Sequence, residues 1–183
     1  MKLFAAVFPP LPVRRDLRAT FTDLPALEGL RLVAAENIHI TMLFFGAQMA
    51  APPAVARELE KVASASAPFE VEIAGASGFP ASDRARVLFA SVGAGGPQLS
   101  RLHDGLVVAI GPSFTSSGTD RFHPHLTLCR PRRRLAAGQF EALQQQARPR
   151  SWRFMADALH LVRSHPGPGG SRYEVLGSFM LAG

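Results

Sequence analysis

The chain has 183 residues, 47% of them hydrophobic, 19% charged and 8% aromatic, which excludes disordered and fibrous classes and allows a single domain with a real core. A net charge of +6, carried by 18 arginines and only two lysines, Lys2 and Lys61, suits a polyanionic partner, because the guanidinium fork matches phosphate oxygens and stacks on bases. A high-GC genome produces the same balance, so charge alone leaves both accounts open, while the single cysteine, Cys129, excludes an intramolecular disulfide and any multi-cysteine metal site.

Lys2 to Phe8 reads as a strand, too brief for a secretory signal before Pro9-Pro10. Leu17, Phe21 and Leu24 then form one face of a helix started near Pro10 or Pro12. Asn37 to Phe45 predicts a second strand ending at Gly46, and Pro52-Pro53 open a helix carrying Val55, Leu59 and Val62 that Pro68 closes. Phe69, Val71 and Ile73 alternate with polar positions as a half-exposed strand, paired with Val87 to Val92 around a turn at Gly78 to Asp83. Leu99, Leu102, Leu106 and Ile110 make a helical stripe stopped by Gly111-Pro112, and a Gly/Ser/Thr-rich loop runs to Asp120. A strand around His125 to Cys129, a weak helix from Leu135 to Ala147, and two last strands, Trp152 to Arg163 and Tyr173 to Leu181, complete the chain. Both halves follow the order strand, helix, strand, helix, strand pair, which points to an internal duplication. No apolar run approaches the roughly 18 residues of a membrane span, so the expectation is a cytoplasmic protein with no membrane partner.

The two halves share a tetrad, His39-Ile40-Thr41-Met42 and His125-Leu126-Thr127-Leu128. Strand side chains alternate, so each His and its Thr share one face while the apolar residues pack on the other. With six histidines and six threonines in the chain, two such pairs with apolar residues at the remaining positions arise by chance on the order of once in a thousand sequences. Hydrolysis of a phosphodiester needs a base for the attacking water and an acid for the leaving oxygen. Two imidazoles with ordinary pKa near 6.5 can share those roles near neutral pH, and the threonine hydroxyls can donate to non-bridging phosphate oxygens.

On these tetrads, on Phe122-His123-Pro124-His125-Leu126-Thr127-Leu128-Cys129-Arg130, and on weaker matches at residues 1–6, 36–46, 86–89 and 164–176, the chain resembles the 2H phosphoesterase superfamily and within it the RNA 2',3'-cyclic phosphodiesterases, historically called 2'-5' RNA ligases. It departs from the family pattern at Leu32, Ala34, Ala35 and Leu43. The resemblance implies an α+β fold spanning residues 1–183 as one domain. Two pseudo-symmetric lobes, each an antiparallel sheet with outer helices, would flank a central cleft where the His-x-Thr strands meet. It implies metal-independent hydrolysis of 2',3'-cyclic phosphate RNA ends to 2'-phosphates, with His39 as proton donor, His125 as proton acceptor, and Thr41 and Thr127 beside them. Arg130 would contact substrate, no cofactor would be needed, and a monomer would act on RNA ends such as those of tRNA fragments. Related chemistries are 2'-5' ligation and hydrolysis of 2'-5' linkages or small cyclic phosphates; a non-catalytic RNA-binding module and a metal-dependent phosphohydrolase are the readings from other classes.

Other residues bear less weight. By strict alternation Arg130 falls opposite His125 and Cys129 falls beside it, so the strand has to end or twist for Arg130 to reach substrate. Arg132-Arg133-Arg134 is either a solvated run or a funnel for RNA. His123 with His125 lacks the partners of a zinc site; His103, His160 and His165 read as structural or surface residues. Phe4, Phe44, Phe45 and Trp152 read as core, Gly167 to Gly170 lacks the Lys-Ser/Thr of a P-loop, and Cys129 reads as packing.

Overall fold

The computed structural model describes residues 2–46, 52–110, 122–167 and 170–183. The helix stop at Gly111-Pro112, the loop to Asp120, and Pro168-Gly169 lie outside the described residues. Among the described residues eight strands and four α-helices follow in the order β1 (Lys2–Val7), α1 (Leu11–Thr22), β2 (Ile40–Gly46), α2 (Pro52–Ser64), β3 (Phe69–Phe79), β4 (Val87–Val92), α3 (Gly96–Ile110), β5 (His125–Cys129), α4 (Gln139–Ala147), β6 (Ser151–Ala156), β7 (Ala158–His165) and β8 (Arg172–Met180). Among the described residues no helix is long and apolar enough to cross a membrane.

All strands join one antiparallel sheet in the order β6-β3-β4-β5-β2-β1-β7-β8. Its two four-stranded halves meet at β2 and β5 through a single pairing, Ile40 with Leu126. The halves are therefore lobes with a narrow seam, and the two tetrads lie on either side of that seam. One lobe joins the two ends of the chain, β1 and β2 with β7 and β8, and the other is built from the stretch between them. β3 and β4 follow the first tetrad in sequence yet stand beside the second. Trp152 to Arg163, expected as one strand, breaks at Asp157: β6 pairs with β3 at one edge of the sheet, and β7 pairs with β1 in the other lobe.

The helices cover one face. Leu3, Ala5 and Val7 of β1, Ile40 and Met42 of β2, and Leu126 and Leu128 of β5 join Leu17 and Phe21 of α1, Val55 and Leu59 of α2, the α3 stripe and Phe140 and Leu143 of α4 in the main core. The tetrads' apolar positions are thus the seam of that core, and the burial of Ile40 and Leu126 to 0% exposure leaves their flanking polar side chains only the opposite face.

Helix ends are set by neighbours as much as by sequence. Pro10 and Pro12 open α1 as expected. α4 begins only at Gln139, four residues later than the apolar pattern from Leu135 predicts. Gly138 sits at φ +75°, a left-handed conformation no right-handed helix continues through. Asp83, from the β3–β4 turn, receives the Gly138 and Phe140 amides at 3.2 Å, neutralising the exposed donors of the first turn.

Candidate active site

Two β-bulges decide what the site contains. Along β2, Ala6 pairs with Thr41 but Ala5 pairs with Leu43. Met42 is the extra residue, and both Met42 and Leu43 are buried in the main core. Along β5, Phe89 pairs with Thr127 but Leu88 pairs with Cys129, and both Leu128 and Cys129 are buried in that core. Each tetrad threonine is thus followed by two consecutive core residues, and the next residue is turned to the tetrad's polar face. That residue is Phe44 in one lobe and Arg130 in the other. Cys129, expected on the face of His125, is instead inside the core, where burial pushes its thiol up to about 11. Phe44, expected in the core, is 55% exposed and packs against Phe4 with ring centroids 5.8 Å apart.

On the polar face, extending the Ile40–Leu126 register places His39 opposite Thr127 and Thr41 opposite His125. The two imidazoles therefore lie on a diagonal, with the two hydroxyls on the other. His39 precedes β2, after a 3-10 turn at Ala35–Asn37, rather than lying within a strand from Asn37. Its Nδ1–H donates to the Asn37 carbonyl at 2.7 Å, and the His125 Nδ1–H donates to the His123 carbonyl at 2.7 Å. A carbonyl only accepts, so both neutral rings carry hydrogen on Nδ1 and present Nε2 as a lone pair. The Thr41 hydroxyl donates to Nε2 of His39 at 3.0 Å. His125 Nε2 has no hydrogen-bond partner among the described residues.

Aromatic walls hold both rings. Phe4, Phe8 and Tyr173 lie 5.0, 5.4 and 5.2 Å from His39, and Phe89 and Phe79 lie 5.0 and 5.4 Å from His125. Burial among these rings lowers the His39 pKa to about 4; the Asn37 carbonyl opposes that, and the nearby His125, Arg14 and Arg130 reinforce it. Burial likewise lowers His125, opposed by the His123 carbonyl and reinforced by His123 and Arg130. Both free imidazoles are neutral at pH 7 in a positive field. A negative charge placed beside these rings would favour their protonated forms.

Arg130 is exposed just past the end of β5, and its charge acts on His39, His125 and the Tyr173 phenol. Arg133 and Arg134 instead line a cavity of about 760 Å³ with Pro25, Ala26, Glu28 and Leu30 and with Gln139 and Gln146 of α4. Several arginines serve the fold: Arg14 donates to the Glu36 carbonyl at 2.8 Å and Arg18 to the Val33 carbonyl at 3.1 Å, pinning the segment that leads into His39.

His123 stands exposed beside His125, with ring centroids 6.3 Å apart. His103 donates to the Met42 carbonyl at 2.6 Å and stacks on Phe122, fastening α3 to β2. His165 pairs with Glu174 at 2.8 Å. Trp152 packs against the main core and donates to Asp16 at 2.7 Å, and Phe45 is in the core. His160, read from sequence as a structural or surface residue, shares the polar face through Phe8 and bonds Ser178; sequence reading missed Phe8, Phe79 and Tyr173. Only alternation in β1 and β3 could have flagged the phenylalanines; Tyr173 reaches His39 through tertiary folding alone.

A model of the 2'-5' RNA ligase superfamily matches residues 11–168. An RNA 2',3'-cyclic phosphodiesterase of Thermus thermophilus is 31% identical over all of this chain and 91% of its own length. One from Aeropyrum pernix is 35% identical over 55% of this chain and 57% of its own length. Among solved structures, TT0787 of Thermus thermophilus superposes with a TM-score of 0.80 at 28% identity, covering 100% of this chain and 99% of that one. LigT of E. coli in its complex with 3'-AMP shares the fold with a TM-score of 0.75 at 22% identity, covering 100% and 99%.

Proposed function

The chain belongs to the 2'-5' RNA ligase superfamily, and on that premise we propose that it hydrolyses the 2',3'-cyclic phosphate ends of RNA to 2'-phosphomonoesters without a metal. The observation that carries this reading is the seam itself: two imidazoles, each fixed through Nδ1 to a backbone carbonyl, aim their Nε2 atoms at one face from opposite sides of a single strand pairing. Regularly paired strands put such diagonal neighbours roughly 7–8 Å apart, a span into which a phosphoryl group fits.

In the proposed step, Nε2 of His125 takes a proton from water as its oxygen forms a bond to phosphorus. The phosphorus–O3' bond breaks, Nε2–H of His39 protonates O3', and the phosphate stays on O2'. Thr41 and Thr127 donate to the non-bridging oxygens, where charge builds in the transition state. Once His39 is protonated, the Thr41 hydroxyl can no longer donate to it and is released to the phosphate. Arg130, turned onto this face by the β5 bulge, adds positive charge beside the substrate. Among the described residues no three His, Cys, Asp or Glu side chains converge as a metal-ligand set. The names of the relatives, RNA 2',3'-cyclic phosphodiesterase in each case, support the same reading.

The deciding experiment incubates the protein, in excess EDTA, with an RNA carrying a 2',3'-cyclic end and identifies the product isomer. A 2'-monophosphate is expected. A 3'-monophosphate, or turnover abolished by EDTA and restored by a divalent ion, overturns the reading.

A further inference from the structure

Tyr173 is the only tyrosine in the chain. It sits near the start of β8, at the far edge of its lobe, two strands beyond β1, yet its ring meets His39 edge-on at 5.2 Å and Phe4 edge-on at 5.2 Å. A brace holds it there. Asn37, whose carbonyl fixes the His39 ring, donates its side-chain amide to the Ser171 carbonyl at 2.7 Å, two residues before Tyr173. One residue thus positions both the imidazole and the strand that brings the phenol to it.

The phenol itself is left over by the fold. The ring is half-buried, but the hydroxyl has no hydrogen-bond partner among the described residues, and it is not among the buried polar atoms sealed from solvent. Packing explains a phenylalanine here; it does not explain an oxygen. A half-buried aromatic hydroxyl with no partner in the fold is free to donate to a group that arrives from outside.

We infer that the Tyr173 hydroxyl contacts substrate, donating a hydrogen bond to an oxygen of the tetrahedral phosphoryl group on the His39 side of the cleft. The inference rests on the phosphodiesterase reading and adds a third neutral donor to Thr41 and Thr127. The oxyanion is the chemical partner because the charge that acts on the phenol is positive: Arg130 acts on it as it does on both imidazoles. Burial raises the phenol's pKa, so it remains a donor across the neutral range.

Two measurements test this. Tyr173→Phe keeps the ring and removes only the oxygen, and it should lower kcat/KM on a 2',3'-cyclic dinucleotide roughly 10- to 100-fold, the range for losing a hydrogen bond to a charged group, with unchanged melting temperature. In the wild-type protein, carbon-13 placed at Cζ of the sole tyrosine gives one resonance, which should move on saturation with sulfate, used as a tetrahedral oxyanion. Wild-type kinetics for Tyr173→Phe, or a Cζ resonance that sulfate leaves in place, overturns the inference. If the variant does not fold, the sulfate titration decides alone. Failure of the phosphodiesterase reading would show separately, as absent turnover by the wild-type protein, whereas the sulfate titration reads the Tyr173 contact with no turnover required.

Discussion

If His39 protonates the leaving oxygen, it has to be an imidazolium when substrate is seated, yet its pKa in the empty site is about 4. At pH 7 about one free molecule in a thousand then carries that proton, and holding it there costs about 4 kcal/mol. A unit negative charge about 4 Å from the ring, at an effective dielectric near 20, returns about 4 kcal/mol. One such charge only balances the cost and would leave His39 about half protonated, but sulfate carries two, so seating it should bring about one proton onto His39 from solvent. The clean measurement uses the His125→Ala protein, in which the second seam imidazole is gone, and sulfate, which does not titrate in this range. Calorimetric titration at pH 7 in buffers of different ionisation enthalpy counts the protons taken up. His125→Ala should take up about one proton per sulfate, and the double variant His39→Ala/His125→Ala close to none. Equal uptake by the two proteins would refute the reasoning, because the anion would then bind without charging His39.

Three further outcomes follow from the same geometry. His39→Ala and His125→Ala should each lower turnover of a cyclic dinucleotide by about 10²- to 10⁴-fold with the fold retained, and the double variant should fall short of the product of the two; unimpaired single variants in a direct rate assay would remove both from the mechanism. The depressed His39 pKa also sets a stability window. Above about pH 6.5 the ring is neutral both folded and unfolded and contributes nothing, whereas between about 6.5 and 4 the unfolded chain binds the proton first and stability falls by up to about 3 kcal/mol. Denaturation midpoints against pH should show this fall in the wild type and a flatter curve in His39→Gln. Finally, Arg130→Ala should slow turnover of a cyclic dinucleotide, while Arg133→Ala/Arg134→Ala should leave it unchanged and only flatten the salt dependence of long-RNA binding; equal damage from both on the dinucleotide would show that the basic run acts as one unit.

The polar face and the core seam were legible in the residues, because a period of two is a local property: once Ile40, Met42, Leu126 and Leu128 are apolar, their burial on one face leaves His39, Thr41, His125 and Thr127 together on the other. The first strand, the start of α1 and the α3 stripe were legible for the same reason, each written in spacing or in a proline. What spacing could not carry is anything that breaks a period or joins distant segments. The bulges at Met42 and Leu128 arise from pairing against β1 and β4. They alone turn Phe44 outward, sink Cys129 into the core and bring Arg130 to the site. The break at Asp157 sends β6 and β7 to opposite lobes because each has a different partner strand waiting. The start of α4 depends on a carboxylate 55 residues away in sequence. Tyr173 belongs to this second class: its alternation within β8 says which face it takes, but only the sheet order and the Asn37–Ser171 bond, a contact across 134 residues, place that face against His39. Local chemistry therefore named the proposed reacting groups, and tertiary pairing decided what surrounds them, since a strand's neighbours are fixed by the whole sheet and not by its own residues.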